Sequence, residues 1–187
     1  MKHFFTIFFL LTFFVHSCNF EKDGIEIESK NYISKINLEK INDTLNYLKV
    51  CSISKNGDTI LNDWELPYPV FRIEKGDVNN DGYDDLLVGV EKTTRFDSIY
   101  RKRIFIFKIF EGYVRPLWLG SRVSQPLLDF CFVKNENSNF VRTIEKEASG
   151  KYLVAHYRWH GFGLKFCEYL VREAELAEAE KIFSEVL

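Results

Sequence analysis

The sequence has no strong charge of one sign, few cysteines and none of the short catalytic signatures. Its formal net charge is −2 at pH 7, too mild to imply nucleic acid or an anionic membrane surface as a partner. Its four cysteines, Cys18, Cys51, Cys131 and Cys167, form no CxxC pair and match no zinc-site spacing. His156 and His160 are four residues apart, but they fall in a stretch of strand character, where that gap makes no tight chelate. Gly-x-Ser-x-Gly, HExxH and phosphate-loop patterns are absent from the sequence, so nothing supports an enzymatic role. The apolar run from Phe4 to Val15 falls short of the ~20 residues that a bilayer-spanning helix needs.

That run has the length of a signal-peptide hydrophobic region, and Lys2 and His3 supply its polar start. It ends in Val15-His16-Ser17-Cys18, which resembles the bacterial lipobox. The resemblance implies cleavage after residue 17 and lipidation of Cys18, with residues 18–35 as a tether carrying a first irregular strand at Ile25 and Ile27. An ordinary secretory signal with a chance cysteine is the alternative. Removing residues 1–17 leaves 170 residues, with 24 Lys and Arg against 27 Asp and Glu, a net charge of −3. That is enough chain for one domain. An oxidising compartment would leave room for one disulfide, with Cys131–Cys167 the favoured pair and three unpaired thiols the alternative.

Alternating apolar patterns and a 16% aromatic content favour β-structure. The fold class expected is mainly β: a meander of nine or ten antiparallel strands, propeller-blade-like or a sandwich, over residues 36–171. Lys55-Asn56-Gly57-Asp58 signals a hairpin with positive φ at both Asn and Gly. Leu38–Asn46 reads as a short helix or loop. The tail 172–187 is rich in Glu and Ala, so it reads as a C-terminal amphipathic helix with Leu176, Ala179 and Phe183 on one face.

The densest signal is Asp77-Val78-Asn79-Asn80-Asp81-Gly82-Tyr83-Asp84-Asp85. It sets oxygen donors at loop positions one, three, five and nine, with Gly at six, and opens into the apolar run Leu86–Val90. Hard cations take six to eight oxygens in a flexible shell. An EF-hand would need Glu at position twelve, where this chain has Val88. The competing reading is a solvated Asn/Asp turn.

Residues 76–89, GDVNNDGYDDLLVG, resemble the FG-GAP/VCBS repeat, a blade of β-propellers in exported and surface proteins. That resemblance implies calcium held by the side chains of Asp77, Asn79, Asp81 and Asp85 and by the backbone carbonyl of Tyr83. It covers about residues 70–115, and 170 residues cannot hold seven blades, so a compact β-fold with one calcium-loop unit is expected. His156, Trp159 and His160 are a second candidate surface, for a carbohydrate or peptide contact. The expectation is a calcium-stabilised, lipid-anchored bacterial envelope protein binding a protein or glycan partner. A small exported hydrolase or inhibitor using the His156/Trp159/His160 end is the alternative, and an envelope scaffold subunit a third.

Overall fold

The computed structural model describes residues 24–95, 97–120, 122–135 and 138–185. The expected signal peptide 1–17 and Cys18 lie outside them. Among the described residues there are twelve strands and one helix. β1 (Ile25–Glu28), β2 (Tyr32–Lys40), β3 (Asn46–Ser54) and β4 (Thr59–Leu66) form an N-terminal sheet. β5 (Val70–Gly76), β6 (Asp85–Thr94), β7 (Asp97–Phe110) and β8 (Tyr113–Leu119) form a central sheet. β9 (Leu127–Lys134), β10 (Asn139–Lys146), β11 (Tyr152–His160) and β12 (Gly163–Ala174) form a C-terminal sheet. Every sheet is an antiparallel meander of sequence neighbours, and none closes into a barrel among the described residues. Helix α1 (Leu176–Ser184) follows.

The central sheet is covered on both faces. Leu86, Val88, Val90, Phe105 and Phe107 pack against Ile36, Leu48, Val50 and Leu66 of the N-terminal sheet. Leu87, Ile104 and Ile106 pack against Phe130, Val141, Leu153 and Ala155 of the C-terminal sheet. A strand buried on both faces reads as a continuous apolar run rather than an alternation, which is why Leu86–Val90 has no polar position. Each of these aliphatic side chains contributes about 1.5–3 kcal/mol by burial. The outer face of the C-terminal sheet is covered by α1, where Ile144 and Val154 meet Ala179, Ile182 and Phe183. Two glycines let aromatic rings close over the central sheet. A Cβ at Gly89 would lie 2.5 Å from the Phe71 ring, and one at Gly76 would lie 2.2 Å from Phe132.

The mainly β meander with a C-terminal helix is the architecture observed, with several differences in detail. β1 is the strand expected at Ile25 and Ile27, and the start of β2 falls within the stretch read as tether. The segment read as helix or loop is the end of β2, a turn and the first residue of β3. Only Gly57 of the Asn-Gly pair has positive φ, at 91°, so that turn is not the doubly left-handed type. β12 runs to Ala174, and the helix therefore starts later than residue 172. Leu176, at its first turn, is 37% exposed, and Ile182 takes its expected place on the inward face.

Cys131 and Cys167 form no disulfide. They sit on β9 and β12, the two opposite edges of one sheet. At about 4.8 Å per strand, three steps separate them by roughly 14 Å, twice the reach of a bridge. Burial, helped by Glu74, pushes the Cys131 thiol up to about 11. Iodoacetamide at pH 8 is therefore expected to label Cys167 well before Cys131, and reductant to leave the melting temperature unchanged. A cross-linked 131–167 peptide in a non-reduced digest would contradict this.

Candidate functional site: the acidic loop and the β11 end

The acidic loop is the connection from β5 to β6. Asn80 at φ 59° and Gly82 at φ 89° wrap the chain tightly, the first tolerated by Asn and the second by Gly. The Asp81 N–H donates to Asp77 Oδ1 at 3.0 Å and to Asn79 Oδ1 at 2.9 Å. Gly82 N–H donates to Asp77 Oδ2 at 2.9 Å, and Tyr83 N–H to Asp81 Oδ1 at 3.0 Å. These are the local side-chain-to-backbone bonds that Asx residues favour in turns. Asp85 accepts from the N–H groups of Val78 and Asn79 at 3.1 and 3.3 Å. Outside the loop, Asn139 of β10 donates to the Asp77 carbonyl at 2.6 Å, and Val78 is buried in the core between the central and C-terminal sheets.

Asp85 is 1% exposed. Burial first, then the Asp81 carboxylate, push its pKa up to about 7, against the pull of its two backbone donors. Among the described residues the loop's cationic partner, Lys75, goes instead to Asp84 at 3.3 Å. Among the described residues no three His, Cys, Asp or Glu side chains are gathered as a metal-binding group; the loop oxygens converge on its own N–H groups. The donor chemistry nevertheless fits a hard cation. Asp77, Asn79, Asp81 and Asp85 offer oxygen ligands on one short wrapped segment, around a buried carboxylate with no cationic partner among the described residues.

The β11 end is arranged differently from its sequence expectation. His156 is 2% exposed and lies on the helix-facing side. Trp159 points to the opposite face and packs in the core against the central sheet, while His160 is exposed. The three therefore do not form one site. His156 belongs instead to a polar cluster that holds α1. Arg142 Nε donates to His156 Nε2 at 3.1 Å. Its Nη1 reaches the carbonyls of Ile182, Phe183 and Glu185 at 3.3, 3.0 and 2.5 Å. A buried guanidinium thus caps the C-terminal end of the helix, where a cation is favoured. Because Nε2 accepts, the proton is on Nδ1, which faces Glu168 Oε1 at 3.2 Å, and the ring stacks on Phe140 at 4.7 Å. Sequence reading missed Arg142. Its only signal was a charge on the face shared by Phe140 and Ile144.

Burial, with the adjacent Arg142, lowers the His156 pKa below 6.5, and Glu168 opposes the shift. The folded state thus resists a proton that the unfolded chain accepts. The stability contributed is complete above pH 6.5 and is lost as pH falls below it. The hydrogen-exchange protection factors of α1 amides, corrected for the intrinsic pH dependence of exchange, are expected to fall between pH 7 and pH 5 in the wild type, and to fall less in His156→Gln. Identical pH profiles for the two proteins would refute the assignment.

In comparison with known proteins, the chain matches no protein family, no curated protein and no solved structure. Among the described residues no helix is long and apolar enough to cross a membrane.

Proposed function

We propose that this is a calcium-stabilised, lipid-anchored protein of the bacterial cell envelope whose β-domain binds a protein or glycan partner. The acidic loop carries the reading. A buried Asp85, with no cationic partner among the described residues, lies among oxygen-only donors at the corner that opens the buried run Leu86–Val90 of the central sheet. Asp77, Asn79, Asp81 and Asp85 would hold calcium through side chains, and Tyr83 through its carbonyl, as the FG-GAP/VCBS-like spacing implies. When bound, the ion neutralises the carboxylates and locks the corner, a structural role. Lipidation at Cys18 would tether the domain through the lipobox-like segment. That His156 and Trp159 lie on opposite faces of β11 supports this reading over a hydrolase or inhibitor centred on them.

Isothermal titration calorimetry of chelator-stripped protein provides the test. One calcium per chain is expected to bind, with Asp81→Ala abolishing the heat. Wild-type protein giving no heat would reject the calcium reading, and cysteine-independent membrane fractionation, unchanged in Cys18→Ser, would reject the anchor.

A further inference from the structure

A cavity of about 440 Å³ opens between the acidic loop, the β1–β2 turn and the β7–β8 turn. Its volume lies within the ~300–1,000 Å³ of small-ligand clefts. Asp81, Tyr83, Asp84 and Asp85 form one wall, Ser29–Tyr32 another, and Lys108–Glu111 the third. Two rings stand at its mouth in unusual exposure, Tyr83 at 41% and Phe110 at 53%. The Tyr32 ring rests against the β7–β8 turn, where a Cβ on Gly112 would come within 3.2 Å of it. Lys108 Nζ sits 5.4 Å from the Phe110 ring centroid.

Ser29, Asp81, Asp84 and Asp85 already have partners, but other polar groups around this space do not. The side chains of Lys30, Asn31, Tyr32, Tyr83, Lys108 and Glu111 show no side-chain hydrogen bond or ion pair among the described residues. Unpaired donors, unpaired acceptors and exposed rings facing one concavity are the composition of a ligand site.

We infer that this cavity binds a short neutral oligosaccharide. The inference rests on the partner-binding reading above and names the partner's chemistry. Sugar hydroxyls both donate and accept, which matches a wall of mixed amines, amides, phenols and carboxylates. Their C–H faces pack on aromatic rings. With Asp81 and Asp85 held by calcium, the remaining wall charges balance, Lys30 and Lys108 against Asp84 and Glu111. The site thus offers no net charge to a polyion of either sign and suits a neutral polyhydroxyl chain.

The test is an NMR titration of the full chain, with calcium present, using neutral tetrasaccharides of the cello, malto, manno, xylo and chito series. At least one is expected to shift amides of residues 29–32, 83 and 108–111. Phe110→Ala is expected to weaken that binding about tenfold through loss of ring contact, with an unchanged melting temperature; Lys108→Ala should weaken it without unfolding the turn. No shift from any saccharide at millimolar concentration would overturn the inference. So would wild-type affinity in Phe110→Ala, or preferential binding of a Lys-rich or Glu-rich peptide in the cavity. Saccharide shifts confined to the His156–His160 end would overturn it while sparing the partner-binding reading. Cavity shifts that persist in chelator would support it even if the calcium reading failed.

Discussion

Millimolar calcium is expected to raise the melting temperature of the wild-type protein by roughly 5–10 °C over chelator-treated protein. Saturation at a hundred times the dissociation constant stabilises by about 2.7 kcal/mol, and each kcal/mol moves a domain of this size by about 2–4 °C. The residue that decides the result is Asp85. Without calcium its carboxyl is buried beside Asp81 and Asp77 and its charged form is disfavoured. Asp85→Asn should therefore melt at or above the wild type in chelator, because it removes an uncompensated buried charge. In calcium the order reverses: the wild type gains and Asp85→Asn gains little. A crossing of the two series in differential scanning fluorimetry is the expected signature. Parallel lines, with Asp85→Asn below wild type by the same amount in both conditions, would make Asp85 a hydrogen-bond acceptor for Val78 and Asn79 and nothing more.

Arg142→Met is expected to cost about 3 kcal/mol, since it leaves three helix-end carbonyls and the His156 acceptor without their shared donor. That corresponds to roughly 6–12 °C in melting temperature. The damage should be local. Amides of α1 should lose hydrogen-exchange protection, while β6 and β7, buried in the central sheet, keep theirs. Arg142→Lys is not expected to restore the protection, because one ammonium cannot span His156 Nε2 and the helix end together. Wild-type protection of α1 in Arg142→Met would mean that the apolar contacts of Ala179, Ile182 and Phe183 suffice to dock the helix.

The elements easiest to read from sequence were those whose local chemistry and tertiary role agree. Leu86–Val90 is apolar at every position because both of its faces are covered, and it was legible as a buried strand. The loop before it was legible because Asx residues and Gly82 build the same turn by themselves. β2 was harder. Charged residues at Glu26, Glu28, Lys30 and Lys35 resemble a linker, and only pairing with β3 commits the segment to a sheet. The threefold recurrence of a four-stranded meander left no sequence repeat, because only the central copy carries the acidic loop. His156 misled for a related reason. A histidine in an aromatic strand looks like a surface contact until its neighbour across the sheet, Arg142, is known. The cavity was illegible because its walls come from three turns up to about eighty residues apart in the chain.

Each layer of this molecule is spun from one uninterrupted stretch of chain, so no strand must wait for a distant partner. Loop-closure costs are correspondingly small, and assembly can proceed in the order of synthesis. The middle layer is the vulnerable stage. Once residues up to 120 have emerged, Leu87, Ile104 and Ile106 have no cover until β9–β11 arrive. A chain halted there would present a greasy, fully hydrogen-bonded plate to its surroundings, and clumping of such fragments is the hazard built into the stacking order.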